Sequence, residues 1–394
     1  MKNATDGRCP VRRLSTLLIA ALAMLSACGE DQINVTPATY PHDDTLRLNQ
    51  IQVVGSHNSY HLQPRAELLQ VLLRFGDLAQ GLEYTHPPLD EQFETQGVRQ
   101  IELDVWADPA GGLFANRAGL KVIHEPTASG IPELSQPGFK VLHIQDIDFE
   151  SNCWTFVECL QTVRSWSDTH PGHVPIMILI EAEDAPLPIP LAGAAVPVPI
   201  GTTEFDALDA EIRSVLPPAK IITPDEVRGP HATLEEAVLT DGWPTLKQSR
   251  GRLLFTLDNA GKRDAYIAGH PSLTGRVLFT NAEPGDPDAA FVEINDAEHD
   301  YTRIQQTVRA GYIVRTRADA DTVEARANDT SVRDAALSSG AQFVSTDYPV
   351  PDPTIGTDYQ VTLPMGMPAR CNPITATARC TPLDIEDPAH LSSR

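Results

Sequence analysis

The chain has 394 residues, with 53 acidic against 30 basic side chains, a formal charge of −23, and six cysteines. A surface this acidic repels nucleic acid and anionic lipid headgroups at long range, which excludes a nucleic-acid partner. If the substrate is an anionic phosphodiester, a bound cation or a few arginines must hold it locally.

In chain order, Arg12 and Arg13 precede the apolar stretch 17–25, which is too short for a membrane span and ends in small residues. Residues 1–27 therefore read as an export signal. Leu25-Ser26-Ala27-Cys28 resembles a bacterial lipobox, whose cysteine is lipidated and becomes the mature N-terminus. The alternative is an ordinary secretory signal cut near Ala27. Gly29 in place of Asp after that cysteine points to outer-membrane or surface retention in a Gram-negative host. Residues 28–48 read as a tether, and no other segment is apolar and long enough to span a bilayer. Cys9 leaves with the signal and Cys28 takes the lipid. The remaining four cysteines suit disulfides in an oxidising compartment, with local pairing, Cys153 to Cys159 and Cys371 to Cys380, favoured among three connectivities.

β-Branched runs predict strands at 51–54, 99–104, 140–144, 175–180, 252–257, 276–280, 311–315 and 341–345. Amphipathic stretches predict helices over 156–166, 205–216, 302–310 and 331–339. Strands alternating with helices imply a parallel sheet, and eight of them imply closure. The expected fold is α/β, a (β/α)8 TIM barrel, regular or distorted, over 49–348. A proline-rich C-terminal extension follows over 349–394. Residues 184–203 are apolar, proline-rich and unlike a helix. They follow a strand on the rim side, where they would either touch lipid or form a packed insertion.

Polar residues cluster where these strands stop. His57 and Asn58 follow Ile51–Val54, Glu102-Leu103-Asp104 ends the second strand, His124 follows Val122-Ile123, and Glu181 follows Ile176–Ile180. Chemistry at the carboxyl ends of parallel strands is where a barrel places its active site. Phosphodiester cleavage needs a base, an acid and neutralisation of the phosphoryl oxygens. His57 and His124 suit base and acid because imidazole titrates near neutrality. Asn58, Glu102, Asp104 and Glu181, with Glu183 a further candidate, supply hard oxygen ligands suited to Ca2+ or Mg2+ rather than zinc. Glu102 and Asp104, two apart on a strand, share one face. Arg315 and Arg317 likewise share a face and are candidates for phosphate or sugar hydroxyls, the rival account being surface pairing with Asp319 and Asp321. Asp258 is a further candidate for a hydroxyl. His143, Asp146 and Asp148, in and just after the third predicted strand, either approach the site from there or make structural hydrogen bonds, the latter being favoured.

Ser-His-Asn-Ser-Tyr at 56–60, Ile-Glu-Leu-Asp-Val-Trp at 101–106, Ile-His-Glu at 123–125 and Leu-Ile-Glu at 179–181 resemble the catalytic X region of phosphoinositide-specific phospholipases C, especially the bacterial calcium-dependent group. The resemblance implies a TIM barrel with His57 as first catalytic histidine, and His124 protonating the diacylglycerol leaving oxygen. It also implies Ca2+ held by Asn58, Glu102, Asp104 and Glu181, with a cyclic inositol phosphate as first product. Glu125 stands where the eukaryotic enzymes have glycine, and the 104–124 segment carries Gly111-Gly112. No PH, C2 or EF-hand-like segment accompanies the barrel, and these departures together put phosphorylated inositides in doubt as the natural substrate. The expected partners are a phosphodiester lipid or its headgroup and, through the lipidated N-terminus, a membrane surface. The chain is expected to act as a monomer.

Two rivals follow from the same residues. Glycerophosphodiester phosphodiesterases use His, Glu-x-Asp and His in this order, and Ser345-Thr346-Asp347-Tyr348-Pro349 resembles their terminal motif. Their first histidine, however, lies in a His-Arg-Gly context. The other rival is a non-catalytic Ca2+-binding surface lipoprotein, which would have no need of an acid–base pair.

Overall fold

The computed structural model describes residues 40–187, 189–376 and 380–390. The export signal, the lipobox with Cys28 and most of the tether lie outside the described residues. Among the described residues no helix is long and apolar enough to cross a membrane.

Eight parallel strands form the frame: β1 Ile51–Ser56, β2 Gln100–Trp106, β3 Ile176–Glu183, β4 Leu253–Leu257, β5 Leu278–Thr280, β6 Phe291–Glu293, β7 Ile313–Arg317 and β8 Phe343–Thr346. Neighbours pair in chain order from β1 to β5 and from β6 to β8. β8 returns to β1 through Val53–Phe343 and Ser56–Thr346. One parallel bridge, Asn281 to Phe291, joins β5 to β6 and completes the ring. The result is a distorted (β/α)8 barrel whose thinnest seam lies there. Strands covered on both faces read as unbroken apolar runs, and Ile176–Ile180 is wholly buried.

Helices α1 Phe156–Thr169, α2 Thr202–Val215, α3 Tyr301–Ala310 and α4 Ser331–Ser339 coincide with the predicted amphipathic stretches to within a few residues. Thr155 caps α1 by accepting from the Glu158 amide at 3.2 Å.

Two strand expectations change. The third predicted strand shrinks to Lys140–Val141, which runs antiparallel against the end of β2 and is not a barrel strand. The chain then folds into a tight turn, Ile144 and Asp148 exchanging backbone hydrogen bonds at 2.8 and 2.9 Å, with Asp146 left-handed. The barrel's eighth place is taken by β6, whose three residues are too few to show a strand pattern in the sequence.

The C-terminal extension is part of the body. Ala369–Cys371 pairs antiparallel with β1. Both expected disulfides, Cys153–Cys159 and Cys371–Cys380, are formed. Glu386 is fully buried, pairs with Arg99, and accepts from the Val174 amide at 2.6 Å.

Candidate active site

β1 stops under a crowded turn. Gly55 is required there, because a Cβ would come within 1.8 Å of Gln100 Oε1. Past Ser56, the His57 amide donates to the Thr346 carbonyl on β8 at 3.0 Å, and the Ser59 amide donates to the Glu102 carbonyl at 3.0 Å. Asn58 takes a left-handed φ of 41°, a conformation Asn tolerates better than most residues.

This geometry turns His57 over the mouth. Its Nδ1 lies 2.7 Å from Asp347 Oδ1 and donates to it, which leaves Nε2 as the unprotonated nitrogen, 3.6 Å from Glu102 Oε1. Burial and the Arg317 guanidinium lower the His57 pKa, so the ring is neutral at pH 7. Burial alone would raise Asp347, but His57 and Arg317 beside it bring it down to about 2.

The carboxylates gather as expected. Register sets Asp104 of β2 beside Glu181 of β3, and Glu102, Asp104 and Glu181 each place an oxygen within 4.8 Å of the others. Burial and the Glu102 charge push the Asp104 pKa well up. Burial, then Asp104 and Asp258, raise Glu181 to about 11. Asn58 Oδ1 and Asp104 Oδ1 are buried without a hydrogen-bond partner among the described residues. Mutually repelling carboxylates and orphaned oxygens are what a hard, oxygen-loving divalent cation would satisfy, so the cluster of Glu102, Asp104 and Glu181 fits Ca2+, and the orphaned Asn58 oxygen has the chemistry of a further ligand.

Arg315 faces this cluster but is not free to meet a phosphate, which corrects its expected role. It is buried, with one terminal nitrogen on Glu102 (2.5 Å) and Ser345 (3.2 Å) and the other on Glu293 and Asn295. The strand pairing Glu293–Arg315 supplies one of these contacts directly. Arg315 therefore fixes Glu102 Oε2 and leaves Oε1 turned to His57. Arg317 is more open. Its Nε donates to the Asp319 backbone carbonyl at 3.0 Å, and one terminal nitrogen lies 3.4 Å from His57 Nδ1 and 3.6 Å from Asp347 Oδ2. Surface pairing with the Asp319 and Asp321 side chains does not occur. Asp258, past the end of β4, faces Glu293, and burial and that neighbour raise it to about 9.

The second histidine of the site is His143, not His124. His124 ends the 3-10 segment Ala118–Ile123 in a left-handed conformation, exposed, with no side-chain hydrogen bond or ion pair among the described residues. Its place after a predicted apolar run misled, because that run is not a strand. His143 instead shares a cavity of about 210 Å³ with Asp104, Glu181, Glu183, Ala185 and Pro186. Its Nδ1 donates to Asp148 Oδ2 at 2.6 Å. Burial alone would lower His143, but the Asp148 hydrogen bond and charge raise it to about 9. Asp148 also receives His61 Nε2 at 2.9 Å, while His61 Nδ1 lies 3.1 Å from the Tyr84 carbonyl.

Asp347, His61 and Glu293 are thus site residues without an expected role there, whereas His143 and Asp148 were candidates for which structural hydrogen bonding was favoured. Asp347 carried a signal, since it stands just past the last strand. His143 and Asp148 carried little, because their segment leaves the barrel before delivering them.

The family described as phosphoinositide phospholipase C, Ca2+-dependent, matches residues 46–373. This chain belongs to that family. It is therefore an enzyme of phospholipase C type, a phosphodiesterase, and its family is Ca2+-dependent. Among solved structures, a calcium-dependent phosphoinositol-specific phospholipase C from a Gram-negative bacterium, Pseudomonas sp, is similar over 84% of this chain and 97% of its own, with 16% identity and a TM-score of 0.50. The myoinositol complex of that protein matches over 85% and 99%, at 16% identity and a TM-score of 0.50. A Ca2+-dependent phosphatidylinositol-specific enzyme from Streptomyces antibioticus matches over 79% and 96%, at 21% identity and a TM-score of 0.48. Likeness at the level of the Pseudomonas structures concerns the barrel fold. No curated protein matches the chain.

Proposed function

We propose that this chain cleaves phosphatidylinositol-like lipids to diacylglycerol and a cyclic inositol phosphate, with His57 as base and His143 as acid. The supporting observation is that their surroundings drive the two histidines apart. His57 is held neutral with Nε2 bare, and His143 is raised to about 9 and so carries a proton at pH 7. Two groups driven to opposite protonation states beside one carboxylate cluster are an acid–base assignment. Asn58, Glu102, Asp104 and Glu181 are the proposed Ca2+ ligands. Calcium, when bound, offsets phosphoryl charge and lowers the pKa of a nearby hydroxyl.

His57 Nε2 takes the proton of the inositol 2-hydroxyl as that oxygen attacks phosphorus. Asp347 keeps the imidazole in the tautomer that can accept it. His143 gives its proton to the departing diacylglycerol oxygen, and Asp148 holds its ring in place. Arg317, the least committed cation beside His57, faces the phosphoryl oxygens, and Asp258 binds a headgroup hydroxyl. The same reading places the enzyme at the bacterial surface, tethered through lipidated Cys28 and working as a monomer.

Phosphorus NMR of phosphatidylinositol turnover with Ca2+, with Mg2+ and with EDTA tests this. Cyclic inositol phosphate formed with Ca2+ and abolished by EDTA is expected, and the Mg2+ arm shows whether that cation can replace it. Release of glycerol 3-phosphate from glycerophosphodiesters, with phosphatidylinositol untouched, would instead favour the rival phosphodiesterase.

A further inference from the structure

The loop after β3 combines three properties that the chemistry of the site does not use. From Ala185 to Thr203 it carries no charged residue, in a chain with 83 acidic and basic side chains (53 and 30). It presents apolar side chains to solvent, Val196 at 78% and Ile189 at 42% exposure. It is also fastened along its length. The Gln145 amide nitrogen Nε2 donates to the Ala185 carbonyl at 3.0 Å, the Ala195 amide to Asp146 Oδ2 at 2.7 Å, and the Ile200 amide to Asp184 Oδ2 at 2.8 Å. Lys121 Nζ donates to the Ala192 carbonyl at 2.7 Å, which brings the exposed Val122 alongside. Ala195 turns inward against the buried Trp106, Phe114 and Leu142. Four backbone groups of the loop are thus held by side chains, and Ile200 is buried, while Ile189 and Val196 are left outside.

We infer that this loop, with Val122, is a docking surface for the bilayer that carries the substrate. The identity of the bilayer rests on the proposed function; the surface itself does not. Ala185 and Pro186 at the start of the loop wall the same cavity as Asp104, His143 and Glu181. A phospholipid's scissile bond lies where headgroup meets acyl chains, so an apolar rim continuous with an ionic cavity has the polarity profile of its substrate. Charge complementarity argues for insertion over attraction. The chain's net charge of −23 repels an anionic membrane, and the uncharged loop is a part of the rim that can approach without that penalty. Docking by insertion is accordingly weakly dependent on salt.

Two variants of the full chain test it. Val196→Trp places a fluorophore at the most exposed position. On adding phosphatidylcholine vesicles its emission shifts to the blue and is quenched by brominated acyl chains, in low and in high salt alike. Ile189→Asp combined with Val196→Asp lowers turnover of vesicle-borne phosphatidylinositol by roughly tenfold or more, the loss expected when one or two apolar side chains no longer bury. Turnover of a short-chain phosphatidylinositol below its micelle concentration stays at the wild-type rate. No emission shift, or an equal loss on both substrates, overturns the docking surface. An emission shift without phosphatidylinositol turnover by any form would leave docking intact and sink the proposed function instead.

Discussion

His57 and His143 border one carboxylate cluster in opposite protonation states, and each ring has a named carboxylate on its Nδ1. Asp347 accepts the hydrogen bond from His57 Nδ1 and so fixes its tautomer, and Asp148 stabilises the charged form of His143. Activity should therefore be bell-shaped in pH, falling on the acid side as the lowered His57 protonates and on the alkaline side as His143 loses its proton near pH 9. Asp148→Asn removes the charge that raises His143, so the alkaline limb should move toward neutrality while the acid limb stays. A kcat/KM profile from pH 5 to 10 reads both, and an unmoved alkaline limb would take His143 out of the acid's role. Arg315 offers a second check at this scale. Replacing it with Met leaves Glu102 and Glu293 buried without their cation, a loss of about 3–5 kcal/mol for a broken buried pair. Urea denaturation of Arg315→Met should show that loss, whereas Arg317→Met, at a partly exposed site, should keep the fold and raise KM.

At the scale of elements, the long periodic segments were legible and the short ones were not. β1, β2, β3 and the four helices follow from apolar runs and helical spacing, which is why strand pattern alone brings Glu102, Asp104 and Glu181 to one end of the barrel. β6, at three residues, carries too little pattern to distinguish it from a loop, yet it brings Glu293 to Arg315. His143 was named but ranked as structural, for a different reason. It lies on a turn held by tertiary hydrogen bonds, where strand periodicity has nothing to say, whereas His124 sat after a run that looked like a strand and is a 3-10 segment. The segment that carries His143 and Asp148 leads into the short Cys153–Cys159 loop at the start of α1. Closing a loop of that size contributes about 2 kcal/mol by the chain-entropy account. Cys153→Ala with Cys159→Ala should lower stability by that order in urea denaturation. A change near zero would mean that the Thr155 cap and the packing of α1 hold the segment unaided.

For the molecule as a whole, the decisive quantity is the proton content of the barrel mouth. Without a cation, burial and like charge raise Glu181 to about 11 and Asp258 to about 9. In the unfolded chain these groups lose their protons near the ordinary carboxylate range of about 4. Between that range and pH 9 the folded protein therefore binds more protons than the unfolded one, and the stability of the cation-free protein falls as pH rises. Calcium needs the deprotonated ligands, so its binding expels protons and should tighten with pH over the same window. Isothermal titration calorimetry with CaCl2 at pH 6, 7 and 8, in buffers of different ionisation enthalpy, should show proton release and an affinity that rises with pH. Thermal unfolding with EDTA should give a Tm that declines from pH 6 to 8, and saturating Ca2+ should raise that Tm most at the alkaline end. Ca2+ affinity that is flat in pH with no proton release would remove Glu181 from the ligand set, because a ligand already ionised in the free protein has no proton to lose.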